Sequence, residues 1–144
     1  MNQRRYNVFV IEDNPGDIAL LKEVFGEAGL DCDIRHFSYG ELAMDALWEQ
    51  AEKGDLPNIL FLDLNLRGDD GFSMLRKIKG DERLRTIPVI VMSSSSAPGD
   101  VRRAYASNAN AYISKPLDLD DFILKIRTVK QFWFDTVQLP ELGD

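Results

Sequence analysis

The sequence predicts an α/β fold: one doubly wound parallel sheet with helices packed on both faces. Three observations carry that expectation. Short runs of β-branched and aliphatic residues recur along the chain, at Val8-Phe9-Val10-Ile11, Asp33 to Phe37, Ile59-Leu60-Phe61-Leu62, Val89-Ile90-Val91-Met92 and Ala111-Tyr112-Ile113. Segments of helical period separate these runs, which is how a parallel sheet buried on both faces reads in sequence. Several runs also end in a polar side chain able to do chemistry: Glu12-Asp13, Asp63, Ser93 and Lys115.

The first run is uniformly apolar, as a fully buried strand should be. Asn14 follows as a helix cap, with Pro15 at the first helical position, where its missing N–H costs nothing. Ile18, Leu21 and Phe25 share one face of this helix, and Gly29 is expected to end it. The second, weaker strand leads to Ser38, the expected cap of a helix carrying Leu42, Ala46 and Leu47 inward. The polar stretch Lys53-Gly54-Asp55-Leu56-Pro57 closes that helix. A third helix is expected at about Gly71 to Lys79, with Met74, Leu75 and Ile78 on its inner face. A fourth spans about Pro98 to Ser107, with Val101, Ala104 and Tyr105. The last starts near Leu117-Asp118 and turns Phe122, Ile126, Val129 and Trp133 inward. Residues 1–144 are expected to form one domain, with a core over about 6–130 and a C-terminal extension over about 131–144.

Composition excludes several classes of function. With 24 acidic and 17 basic residues the net charge is -7, and no basic cluster could neutralise a row of phosphates, so no nucleic-acid partner is expected. Apolar runs fall well short of the roughly 18 residues a membrane helix needs, and the first is too short for a signal peptide. A soluble, cytoplasmic protein is the expectation. The lone Cys32 fits that compartment as a small hydrophobe.

Ligands of open parallel sheets bind beyond the carboxyl ends of the strands, so the polar strand ends belong to one candidate site. Three carboxylates converging there repel one another unless a cation compensates. Mg²⁺, which prefers oxygen ligands and is commonly held by one or two carboxylates plus a phosphate oxygen, suits Asp13 and Asp63, with Glu12 behind a water. Lys115 adds a compact positive charge for an anionic oxygen, and Ser93 one hydroxyl donor. A carboxylate nucleophile with a metal, an ammonium and a hydroxyl makes a phosphoryl-transfer site, in which positioning and charge neutralisation do the catalysis. Each element alone has a plain reading as a solvated loop; the combination carries the inference.

These residues resemble the receiver domains of two-component response regulators, the CheY-like family. The resemblance rests on Glu12-Asp13-Asn14-Pro15, Asp63-Leu64-Asn65-Leu66 with Asp70-Gly71 following, Ser93, and Tyr112-Ile113-Ser114-Lys115-Pro116, and covers about residues 6–130. It implies a flavodoxin-like (βα)5 sheet with strand order 2-1-3-4-5. It further implies Asp63 as phosphoacceptor, with Mg²⁺ held by Glu12, Asp13, Asp63 and the Asn65 backbone carbonyl. Ser93 would be the switch hydroxyl, Tyr112 the switch aromatic, and Lys115 the phosphoryl contact, with a cis Lys115-Pro116 bond. The implied partner is a sensor histidine kinase, and the implied role is a signalling switch that catalyses its own phosphotransfer and slow dephosphorylation, with a place in a phosphorelay as one form of that role. Arg67 departs from the family, many of whose members carry Pro there.

Competing readings are separable by residue. Aspartate-nucleophile phosphatases of the haloacid dehalogenase type need a second Asp two residues on, where this chain has Asn65, which supplies no proton. Flavodoxin-type carriers bind flavin phosphate after the first strand, where this chain has Glu12-Asp13. A receiver fold kept only for binding would have lost reactive side chains, whereas Glu12, Asp13, Asp63, Ser93 and Lys115 are all competent. The tail from Phe132 to Pro140 is similar to that of stand-alone regulators paired with bacterial phytochromes. Phe132, Trp133 and Phe134 are consecutive and point roughly 100° apart on an α-helix, so one face cannot bury all three. They are expected to form a homodimer interface, the alternative being that the tail folds back over its own domain.

Overall fold

The computed structural model describes residues 6–27, 32–66 and 70–140. Its elements alternate along the chain: β1 (Tyr6–Ile11), α1 (Pro15–Phe25), β2 (Cys32–Phe37), α2 (Gly40–Lys53), β3 (Ile59–Asp63), α3 (Gly71–Gly80), β4 (Val89–Ser93), α4 (Pro98–Ala106), β5 (Ala111–Ser114) and α5 (Leu119–Lys130). Five parallel strands form one sheet in the order β2-β1-β3-β4-β5. Strand order reverses between β1 and β3, and the central strands β3 and β4 are buried along their whole length. Their uniform apolarity follows from being covered on both faces.

Successive side chains of a strand point to opposite faces, so each strand feeds two cores. Phe9, Ile11, Leu60, Leu62, Val89 and Val91 pack with α2 and α3 residues such as Leu47, Met74, Leu75 and Ile78. Val8, Val10, Ile59, Phe61, Ile90 and Met92 pack on the opposite face with Leu21 and Phe25 of α1 and Phe122 and Ile126 of α5.

Local chemistry sets most helix starts as expected. The Asn14 side chain accepts from the Asp17 N–H, Asp70 caps α3 by accepting from Phe72, and Asp118 caps α5 by accepting from Asp121. Helix α2 differs. It begins at Gly40 after Tyr39, which makes no side-chain cap bond, while the Ser38 hydroxyl lies 3.3 Å from His36 Nε2 instead. Its inner face is Ala43, Met44, Ala46 and Leu47, one stripe at spacings of three and four, so Ala46 and Leu47 lie inward as expected while Leu42 falls outside the stripe and is exposed. Helix α1 ends at Phe25, its last buried residue, with Gly26 as cap; Gly29 and Arg67 lie outside the described residues. On α4 only Ala104 is buried. Tyr105 is exposed and its hydroxyl accepts from the Tyr112 N–H of the edge strand β5, satisfying an amide with no further strand to bind.

After α5 the chain continues through a π-helical turn, Gln131–Thr136, in which Val137 N–H donates to Phe132 O five residues back. That turn carries Phe134 inward, against Tyr6 and Phe25 at ring separations of 4.7 and 5.5 Å, and Leu139 is buried beyond it. Trp133 is half-buried against the same core and Phe132 is exposed. The expected three-residue interface is therefore corrected at Phe134, which is core: the tail folds back over its own domain.

Gly71 opens α3 in direct contact with the strand it follows. A Cβ there would overlap Leu64 Cα and stand 2.7 Å from the Asp63 carbonyl oxygen, both backbone atoms that cannot yield cheaply. Gly71→Ala is expected to cost about 1–3 kcal/mol or more by overpacking, read as a lower urea midpoint at unchanged m-value.

Candidate functional site

Glu12 and Asp13 leave β1, Asp63 ends β3, Ser93 ends β4 and Lys115 follows β5, so neighbouring strands deliver all of them to one edge of the sheet. One carboxylate oxygen from each of Glu12, Asp13 and Asp63 lies within 4.8 Å of the others. Glu12, Asp63 and Ser93 are the buried polar residues of the described chain. Buried carboxylates need partners. The Lys115 ammonium supplies them, standing 3.0 and 3.1 Å from the two Glu12 oxygens and 3.1 Å from Asp63 Oδ2. Asp63 Oδ1 accepts from the Asn65 N–H at 2.9 Å.

Electrostatics divide the two buried acids. Burial pushes the Glu12 carboxyl up to about 9, and Asp63 pushes it the same way against the opposing charge of Lys115. Burial also acts upward on Asp63. Its bonds to Glu12, the Asn65 amide and Lys115 outweigh that and hold it below its ordinary value, so it is the carboxyl that stays ionised. Burial acts against the charge of Lys115, but Asp17, Glu12 and Asp63 outweigh it and raise its pKa.

The loop after β4 is tied together through Ser95. Its N–H donates to Ser93 Oγ at 3.1 Å, its hydroxyl donates to Asp100 at 2.6 Å, and its carbonyl accepts from the Tyr112 hydroxyl at 2.8 Å. Tyr112 is half-buried and packs against the α2 and α3 core. Expected switch residues Ser93 and Tyr112 are thus joined by one intervening residue. The Lys115-Pro116 bond is trans, correcting the cis expectation; an X-Pro amide prefers trans by about 0.5–1 kcal/mol.

Sequence reasoning missed Asp17. Its Oδ2 lies 2.9 Å from the Lys115 ammonium, the shortest of that group's ion pairs. The signal was its place as the acidic residue in the first turn of α1, four positions after Asp13 and close to the end of β1.

A doubly wound parallel sheet with an acidic trio and a half-buried lysine at its carboxyl edge defines a class of phosphoryl-handling α/β proteins. Residues 8–127 match the model of the response regulator receiver domain, and the chain belongs to that family of two-component signalling switches. It is 33% identical over 135 residues to response regulator Rcp1 of Synechocystis sp., covering 92% of each chain. It is 35% identical over 127 residues to a probable methanogenesis regulatory protein, FilR2, of Methanothrix harundinacea, covering 88% of this chain and 82% of the relative. Among solved structures it is similar to the Mn²⁺-bound form of Rcp1, with TM-score 0.87, 33% identity and coverage of 94% of this chain and 99% of that one. The phosphorylated cyanobacterial phytochrome response regulator RcpA gives TM-score 0.89 at 31% identity, with 95% and 99% coverage. The acidic cluster and the metal-bound relative support divalent-cation binding. Among the described residues no helix is long and apolar enough to cross a membrane.

Proposed function

We propose that Asp63 accepts a phosphoryl group from a sensor histidine kinase, with Mg²⁺ held by Glu12, Asp13, Asp63 and the Asn65 backbone carbonyl. The observation that carries this reading is the Lys115 ammonium resting on Asp63 Oδ2 inside a carboxylate cluster. An all-oxygen, carboxylate-rich donor set suits a hard cation, and Mg²⁺ when bound would neutralise charge on the phosphoryl oxygens. Asp63 is the nucleophile: its O–P bond forms as the N–P bond of the donor phosphohistidine breaks, and the imidazole leaves. Lys115 turns its N–H toward a phosphoryl oxygen as the carboxylate charge is spent. Hydrolysis of the same acyl phosphate returns the resting state. Incubation with phosphoramidate and Mg²⁺ should add one phosphoryl group, mapped by mass spectrometry to Asp63; labelling elsewhere would overturn the assignment.

Ser93 is the switch hydroxyl in this reading. Moving it to a phosphoryl oxygen breaks its bond with the Ser95 N–H, displacing the Ser95 carbonyl that Tyr112 holds and carrying the change to the surface of α4, β5 and α5. The similarity to Rcp1 and RcpA supports a phytochrome-type kinase as the donor. A two-fold dimer through α5 and the tail is supported by exposed Leu119, Leu124 and Phe132; sedimentation as a monomer at high micromolar concentration, phosphorylated or not, would exclude it.

Metal binding should depend on pH. A carboxyl raised in the fold, as Glu12 is, stabilises fully below its unfolded value of 4.5, and that contribution is lost as pH rises through about 9. Asp63, shifted down, acts below this window. The metal-free chain is therefore expected to lose stability between these limits, and Mg²⁺, which favours the carboxylate, to restore it. Melting with and without Mg²⁺ should show a larger increment at pH about 8.5 than at about 6; equal increments would contradict the shift.

A further inference from the structure

We propose that Asp17 is a positioning residue for Lys115, holding its ammonium so that one N–H is left pointing at Asp63; the proposal rests on the roles of Asp63 and Lys115 given above. An ammonium has three N–H donors and no acceptor. Here one serves the two oxygens of Glu12 at 3.0 and 3.1 Å, one serves Asp17 Oδ2 at 2.9 Å, and one serves Asp63 Oδ2 at 3.1 Å. Only the last is available to a phosphoryl oxygen if the other two remain engaged. Lys115 reaches the site on a flexible four-carbon stem, so its aim comes from its partners.

Asp17 is itself well fixed. It sits in the first turn of α1, where a carboxylate is favoured by the helix dipole, and its N–H donates to the Asn14 cap at 3.1 Å. The pair is largely withdrawn from water, with side-chain exposures of 12% for Lys115 and 18% for Asp17. Loss of Asp17 frees the ammonium to settle between Glu12 and Asp63. It would then neutralise the nucleophile in the resting state and meet the phosphoryl oxygen less well in transfer.

The rate of Asp63 phosphorylation by phosphoramidate with Mg²⁺ tests this in a double-mutant cycle. Asp17→Ala should slow the maximal rate by about tenfold, the size of one charge-assisted bond, with little change in half-saturating donor. Asp17→Asn, which keeps an acceptor oxygen in place, should recover most of the rate. In a Lys115→Ala background, already slowed, Asp17→Ala should have no further effect. Equal slowing in both backgrounds would show that Asp17 does not act through Lys115, and failure of Asp17→Asn to recover the rate would show that position is not what it supplies. Lys115→Ala with an unchanged rate would overturn both this proposal and the lysine's assigned role; labelling away from Asp63, read separately by mass spectrometry, would overturn the phosphoacceptor on which this proposal rests. A readout independent of turnover is the Lys115 ¹⁵N ammonium resonance: protected from solvent exchange in the wild type and Asp17→Asn, and broadened in Asp17→Ala. The same resonance in all three would sink the proposal.

Discussion

Asp63→Asn is expected to abolish phosphoryl transfer, leaving labelling under about 1% of the wild-type extent in a phosphodonor assay with Mg²⁺. The amide has no charged oxygen to form the O–P bond. It keeps the volume of the side chain and an acceptor for the Asn65 N–H, so the fold around it survives. Removing one charge from the cluster also relieves Glu12, which Asp63 pushes upward, so the variant should melt no lower than the wild type without metal. Loss of labelling without loss of stability separates a chemical role from a structural one. A variant still labelled to completion on another residue would show that Asp63 is not the acceptor.

Phe134→Ala should carry the largest stability cost, about 3–5 kcal/mol, because the ring is buried in the α1 and α5 core. Its edge-on contacts with Tyr6 and Phe25 add to the area it removes from water, and Tyr6 also reaches back to the Phe134 carbonyl at 3.4 Å. Phe132→Ala, two residues away and exposed, should change stability by no more than about 0.5 kcal/mol. Urea unfolding of the pair measures the contrast. Similar, small costs at both positions would mean that the tail does not dock on its own domain.

The strands and their order of use were legible because their signals are local. A run such as Ile59-Leu60-Phe61-Leu62 is apolar at every position only when both faces of the strand are covered, and the residue that ends it lies at the carboxyl edge. Asn14 likewise announces its helix by accepting from the Asp17 N–H, and the structure shows Asp70 and Asp118 doing the same for α3 and α5. Ser38 carried the same signal and was not used, since its hydroxyl pairs with His36 and the chain enters α2 two residues later. A cap residue states what is possible locally; neighbouring strands decide whether it is taken.

The tail shows where helical periodicity stops informing. Extrapolating α5 at α-helical spacing puts Trp133 on the inner face, but the π-helical turn shifts every later side chain around the axis and brings Phe134 fully in. Hydrophobicity alone does not separate three consecutive aromatics.

By itself the sequence determined the alternation of strands and helices, the family, and the delivery of Glu12, Asp13, Asp63, Ser93 and Lys115 to one sheet edge, since each depends on a few adjacent residues and on a fixed strand order. Only the tertiary structure decided that Asp17 joins Lys115 across 98 positions, that Ser95 links Ser93 to Tyr112, and that Phe134 belongs to the core. Those contacts form between elements brought together by burial of apolar surface, and burial rewards total area without specifying in any local pattern which polar groups will meet.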